Sequence, residues 1–251
     1  MISEIIDSIQ QQQDKFRLVY QPIVKRDGTI AGAEALLRWE DDDGITHYPD
    51  EFIANLEHFG CYIRLGDWII HKAITDIASI GRDGFFINVN VTWRQLAEPH
   101  FAQQVIQELN EAGFPASQLH LEITERERYD SRSMAVSLAV LTEAGVQIVL
   151  DDFCTQESSL AIIKRYHIDQ LKVDKEFVFD VLESKRSQAI IQCLAELAHK
   201  LGMKICLEGV ETEETRKFVE QYSADYYQGF LYSGPIEFSM LLGLLQTQRL
   251  N

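Results

Sequence analysis

VQIVLDDFCTQESSL, residues 146–160, opens as a buried strand and breaks on two adjacent carboxylates. Val146, Ile148, Val149 and Leu150 are apolar and branched, as a sheet interior requires. Asp151 and Asp152 follow at once, and Ser158–Ser159 can cap a helix that starts at Leu160. Two acids at the end of a hydrophobic strand repel each other and resist burial. One reading of the pair is a cation, a divalent metal in the first place, that compensates both. The other is a strand ending at an acidic surface turn.

Outward from this run the chain alternates. A helical pattern over 131–144 leads into it, and one over 158–167 leads out of it to QLKV, residues 170–173. Further helices at 185–201 and 211–222 lead to KICL (204–207) and to a strand over 226–231, and a last helix covers 236–248. On the upstream side, helices at 50–59 and 64–80 precede FFINVNV (85–91), and a helix at 99–112 precedes LHLEI (119–123). Strand-then-helix units with short connections mean a parallel sheet. The start is different: RLVYQPIV (17–24) and TIAGAEALLRW (29–39) flank Asp27-Gly28, a hairpin signal, so these two strands pair antiparallel. Eight strands in 251 residues predict an α/β fold, a modified TIM (β/α)8 barrel with one antiparallel strand. A doubly wound open sheet is the alternative, and no glycine-rich dinucleotide fingerprint supports it.

Residues 1–15 read as a short helix, with Ile2, Ile5, Ile6 and Ile9 on one face, or as the remnant of a linker; residues 16–251 form the barrel domain. The net charge of −16 argues against general nucleic-acid binding, although metals can offset it locally for a phosphodiester. No membrane span is read in this chain and the first residues carry acids instead of a basic signal region, so a cytoplasmic protein is expected. Cys61, Cys154, Cys193 and Cys206 lack CxxC spacing; Cys193 and Cys206 read as reduced core thiols.

Barrel enzymes place their sites at the C-terminal ends of the strands. There this chain has Glu34, Asn90, Glu122 with Glu125 close behind, Asp151 and Asp152, Lys172, Glu208 and Gln228. Singly each is a polar residue ending a strand. Together they form an oxygen-rich set that suits Mg²⁺ or Mn²⁺. Asp151 and Asp152 could bridge two metals roughly 3.5–4 Å apart, as in phosphoryl chemistry.

The same residues lie in a series of motifs. These are YQPIV (20–24), EALLRW (34–39), LGDWII (65–70), VNVTWRQL (89–96), LEITE (121–125), LDDF (150–153), LKVD (171–174), LEGVET (207–212) and QGFLYSGP (228–235). In this order the chain resembles the EAL domains, bacterial phosphodiesterases that cleave cyclic di-GMP to linear pGpG, from about Tyr20 to Pro235. The resemblance implies a cytoplasmic homodimer, two Mg²⁺ or Mn²⁺ ions per active site, inhibition by Ca²⁺, and an upstream sensory or GGDEF domain in a longer protein. It implies that Glu34, Asn90, Glu122 and Asp151 hold one metal. Asp151 and Asp152 hold the second, with Glu208 nearby. Lys172 and Asp152 position the attacking water and take up its proton, and Gln228 helps hold water or substrate. Gln21 and Arg38 contact the nucleotide, Arg38 with a fork suited to phosphate. Glu125 anchors the loop after Asp151–Asp152, and Glu211 supports the site from behind.

The chain departs from the family in that loop. DFCTQESS (152–159) stands where the family reads DFGTGYSS, so Cys154, Gln156 and Glu157 replace two glycines and a tyrosine. Lost glycines imply a different backbone path. Slow hydrolysis, or a catalytically weak or inactive domain acting as a cyclic di-GMP receptor or protein-partner regulator, is the alternative this raises. If the loop limits turnover, restoring glycine at 154 and 156 and tyrosine at 157 raises phosphodiesterase activity; an unchanged or lower rate in a pGpG-release assay counts against loop limitation.

Overall fold

β1 (Phe16–Val24) and β2 (Ile30–Glu40) form the expected hairpin, paired antiparallel from Phe16 opposite Trp39 to Val24 opposite Ile30. Gly28 makes the turn possible: its φ of +82° is costly for any residue with a Cβ, and its amide donates to the Lys25 carbonyl at 2.9 Å. The computed structural model describes Ile5 and residues 15–58, 62–124, 132–153 and 159–248.

After the hairpin come β3 (Thr46–His47), β4 (Phe86–Asn90), β5 (Leu119–Thr124), β6 (Gln147–Phe153), β7 (Gln170–Val173), β8 (Lys204–Leu207) and β9 (Tyr226–Tyr227). The sheet runs β1-β9-β8-β7-β6-β5-β4-β2, and the β1–β2 pairing closes it into an eight-stranded barrel. β1 is antiparallel to both neighbours, every other pairing in the ring is parallel, and β3 hangs on β2 outside the ring. This is the α/β barrel with one antiparallel strand that the Asp27-Gly28 signal predicted.

The helices are α1 (Pro49–His58), α2 (Tyr62–Ala78), α3 (Trp93–Ala97), α4 (Phe101–Ala112), α5 (Arg132–Glu143), α6 (Ser159–Arg165), α7 (Lys175–Phe179), α8 (Lys185–Lys200), α9 (Glu213–Val219) and α10 (Phe238–Gln248). Their apolar faces pack on the outside of the barrel. Ile69, Ala73 and Ile77 of α2 are buried there, as are Ile191, Leu194 and Ala198 of α8, each set at helical spacing. Inside the barrel, below the strand ends, Phe86 stacks on His120 with centroids 4.2 Å apart. Ile23, Cys206 and Tyr226 pack around Phe86. Gly32 is required beside it, because a Cβ there would lie 2.4 Å from the Phe86 ring. Burial drives the His120 pKa down to about 3, so this ring is neutral and part of the floor.

Several expectations need correction. The helix expected over 99–112 is α4, which starts at Phe101 because His100 takes a left-handed φ of 76°; the short α3 before Pro99 was not expected. α9 stops at Val219, where a 3₁₀ turn takes over, and the last strand ends at Tyr227 because a tight turn from Gly229 follows. Cys206 is a buried thiol, but Cys193 is exposed on α8: the helix is apolar on one face only, and Cys193 lies off that face. Ile5 is buried in the core; the rest of the expected 1–15 helix, Lys15 apart, lies outside the described residues.

In the acidic run Asp41-Asp42-Asp43-Gly44 the last three residues are exposed to solvent, and Asp41 organises the turn. Asp41 Oδ1 accepts from the amides of Asp43 (3.0 Å) and Ile45 (2.8 Å). Its Oδ2 meets His47 Nε2 at 2.9 Å, and His47 Nδ1 meets Glu51 Oε2 at 2.9 Å. The bonds to Asp41 and Glu51 raise the His47 pKa. A raised histidine pKa contributes stability that is fully present below the unfolded value, near 6.5, and is lost as pH rises through the folded value. His47→Gln is therefore expected to lower the melting temperature more at pH 6 than at pH 9. An equal loss at both would mean that the ring's charge is irrelevant.

Candidate active site

Parallel pairing brings the strand ends to one mouth. Glu34 lies opposite Gln21 on one side and Asn88 on the other, Asn90 lies opposite Glu122, and Asp151 lies opposite Thr124. Two-residue periodicity then puts Glu34 and Arg38 on one face of β2, and Asn88 and Asn90 on one face of β4. At the end of β6 the register against β7 shifts between Leu150 and Phe153, and Asp152 adopts a left-handed φ of 52°. This bulge breaks the alternation of the strand at the Asp151–Asp152 pair, a device common beside active sites. The Asp152 backbone amide donates to the Asp151 carboxylate.

Lys172 stands at the centre. It is 1% exposed. Its Nζ lies 2.7 Å from Glu208 Oε1, 2.9 Å from Glu122 Oε1, 3.2 Å from Glu34 Oε2 and 3.3 Å from Asp151 Oδ1. Amides fill in the rest. Asn88 Nδ2 donates to Glu122 at 2.6 Å, Asn90 Nδ2 to Glu34 at 3.1 Å, and Gln228 Nε2 to Glu34 at 2.7 Å and to Gln21 at 3.1 Å. Gln21 in turn donates to the Ser233 carbonyl at 3.2 Å.

Burial should discharge this lysine, yet the four surrounding carboxylates outweigh it and hold its pKa well above the ordinary value. The acids divide. Burial pushes Glu34 up, but Lys172, Gln228 and Asn90 together outweigh burial and bring it below its ordinary value. Burial, reinforced by Glu34 and Asp151, pushes Glu122 up. Burial also raises Asp151, and it raises Glu208 to about 8, in both cases against the pull of Lys172. One ammonium cannot keep four buried carboxylates ionised.

The donor set is one that a hard divalent cation fits. Glu122 Oε2, Asn88 Oδ1 and Gln228 Oε1 are buried acceptors without a hydrogen-bond donor, and Asp151 Oδ1 has only the Lys172 ammonium at 3.3 Å. They are oxygens, the ligand type of Mg²⁺ and Mn²⁺, and further positive charge would satisfy them together. Among the described residues no three acidic, thiol or imidazole side chains converge ready to hold an ion. The acids converge on Lys172 instead, so seating a metal requires carboxylates to turn from the ammonium toward it.

Above this cluster opens a cavity of about 670 Å³, lined by Gln21, Glu34, Arg38, Asp151, Lys172 and Glu208 among others. Arg38 is buried in its wall. Its Nη1 donates to the Leu37 carbonyl at 2.7 Å, and its guanidinium lies 4.7 Å from the centre of the Tyr48 ring. Glu40, the acid nearest to Arg38 in sequence, pairs with Arg17 at 3.1 Å. Glu211 is exposed at the rim. Glu125 and the loop residues Cys154, Gln156 and Glu157 lie outside the described residues. Asn88 escaped the sequence reading, although its alternation with Asn90 in NVN put both on one face. Tyr48 escaped it too, because nothing local distinguishes a tyrosine before a proline.

A family model described as EAL domain matches residues 5–235. The chain is 34% identical over 243 residues to the cyclic di-GMP phosphodiesterase NbdA of Pseudomonas aeruginosa, covering 95% of this chain and 31% of that protein. It is 30% identical over 228 residues to the cyclic di-GMP phosphodiesterase PdeR of Escherichia coli, covering 90% of this chain and 34% of that one. The chain thus spans about a third of the length of these curated relatives. Among solved structures, the EAL enzyme Bd1971 with cAMP and cyclic di-GMP bound superposes with a TM-score of 0.90 at 30% identity, covering 97% of this chain and 68% of that one. The PaMucR phosphodiesterase in complex with cyclic di-GMP superposes with a TM-score of 0.86 at 30% identity, covering 95% and 98%.

Proposed function

The chain belongs to the EAL domain family, and from that premise we propose that it is a metal-dependent phosphodiesterase that opens cyclic di-GMP to linear pGpG. The observation that carries the reading is the cluster itself: four carboxylates around one buried lysine at the floor of a cavity with an arginine in its wall. In this reading Glu34, Asn90, Glu122, Asp151, Asp152 and Glu208 hold two Mg²⁺ or Mn²⁺ ions. When bound, these ions lower the pKa of a water and polarise the phosphoryl oxygens.

The remaining steps belong to the chain's own side chains. Arg38 offers its free N–H donors to a phosphate oxygen. Gln21 and Gln228, already bonded to each other, fix the substrate face beside Glu34. Lys172 stays charged among the acids, so it orients the attacking water and stabilises charge building on the phosphoryl oxygens. Asp152, next in the chain to Asp151, takes up the proton. Glu211 supports the rim, and Glu125 anchors the neighbouring loop. The domain works as a homodimer within a longer cytoplasmic protein.

The test is pGpG release, followed by chromatography. Turnover with Mg²⁺ or Mn²⁺ and none with Ca²⁺ or EDTA supports the reading; no pGpG above a Glu34→Ala control defeats it. A second reading, a receptor that binds without hydrolysis, is favoured by one observation, the replacement of two glycines and a tyrosine by Cys154, Gln156 and Glu157. Calorimetric binding in Ca²⁺ without later hydrolysis in Mg²⁺ would select it.

A further inference from the structure

We propose that Tyr48 is a substrate-binding residue, a stacking wall for one guanine base that also presents Arg38 to the adjoining phosphate; this rests on the cyclic di-GMP reading above. Tyr48 lines the same cavity as Arg38 and the acidic cluster, yet it is 55% exposed. Aromatic residues that stand open at the rim of a polar cavity supply flat apolar surface for a planar group.

Its placement is fixed from both sides. His47, one residue back, is held by Asp41 and Glu51, and the Tyr48 amide donates to Glu51 Oε1 at 2.9 Å. Pro49 then opens α1. The ring is therefore preorganised rather than swinging on a free loop. The Arg38 guanidinium lies over this ring at 4.7 Å, with one N–H given to the Leu37 carbonyl.

Arg38 makes no ion pair among the described residues, and the acid closest in sequence, Glu40, is taken by Arg17. A buried guanidinium that has a carbonyl and an aromatic face but no anion lacks its natural partner. A phosphodiester carrying a base supplies both missing pieces, the anion for Arg38 and the plane for Tyr48. Stacking of this kind contributes a modest, sequence-tolerant share of affinity and tolerates loss of the hydroxyl, because the ring provides the contact.

Calorimetry with cyclic di-GMP in Ca²⁺ tests this on the wild type, Tyr48→Ala and Tyr48→Phe, with thermal melting of each as a folding control. Tyr48→Ala is expected to bind about tenfold more weakly, as loss of one stacked base predicts, while Tyr48→Phe keeps wild-type affinity. Tyr48→Ala binding as tightly as the wild type overturns the inference and leaves the proposed function standing. Tyr48→Phe binding as weakly as Tyr48→Ala also overturns it, since the hydroxyl and not the ring would then matter. A wild type that binds no cyclic di-GMP defeats the functional reading first, and this one with it.

Discussion

Lys172→Met is expected to abolish measurable pGpG release and to lower the melting temperature of the metal-free protein at neutral pH. Methionine keeps most of the length of the side chain and removes its charge. Glu34, Glu122, Asp151 and Glu208 then face each other without the ammonium that now lies within 2.7–3.3 Å of each. Removing one partner from a buried ion cluster costs about 3–5 kcal/mol, because the charges left behind stay buried. Turnover falls by roughly 10²–10³ or more, the cost of losing one preorganised electrostatic stabiliser. A second sign separates a counter-ion from a packing role. Mn²⁺ should raise the melting temperature of Lys172→Met more than that of the wild type, because metal charge replaces what the lysine supplied. Equal shifts would show that the lysine does not compete with metal for these acids.

Glu34→Ala is the second large effect, and its signature differs. Glu34 accepts from Asn90 through Oε1 and from Gln228 and Lys172 through Oε2, so one carboxylate positions side chains from β4, from β7 and from the residue after β9. In the proposed reading its loss removes a metal ligand and frees Gln228 from the substrate face. Activity is expected to drop by about 10³ or more, into the background of a pGpG assay. Stability should fall less than in Lys172→Met, because Glu34 is also a source of the repulsion that raises Glu122 and Asp151. A Glu34→Ala protein with substantial turnover would remove the acid from the chemistry.

The barrel was legible because its signals are local. Asp27-Gly28 marked the hairpin, and the alternation of apolar strand runs with helical periods marked the parallel sheet. The site was legible as far as residues fall at strand ends, which is how Glu34, Glu122, Asp151, Lys172 and Glu208 were read together. Asn88 lies one pleat deeper than the strand end, so reading the ends alone passed over it, although it donates to Glu122 at 2.6 Å. That Arg38 pairs with the Tyr48 ring and not with Glu40 is a matter of tertiary placement, since Arg17 on the neighbouring strand takes Glu40. Nor does LDDF show by itself that the strand bulges at Asp151–Asp152; that follows from its register against β7. Cys193 was misread because the helix around it is apolar on one face only.

The most direct measurement is a crystal structure of the protein with Mn²⁺ and cyclic di-GMP, the ions located by anomalous scattering. Two manganese peaks at Asp151 and Asp152, with Glu34 and Glu122 turned from Lys172 toward metal and a phosphate of the nucleotide against Arg38, are the expected result. Nucleotide bound with no manganese at the carboxylates, and all four acids still gathered on Lys172, would contradict a metal-dependent phosphodiesterase.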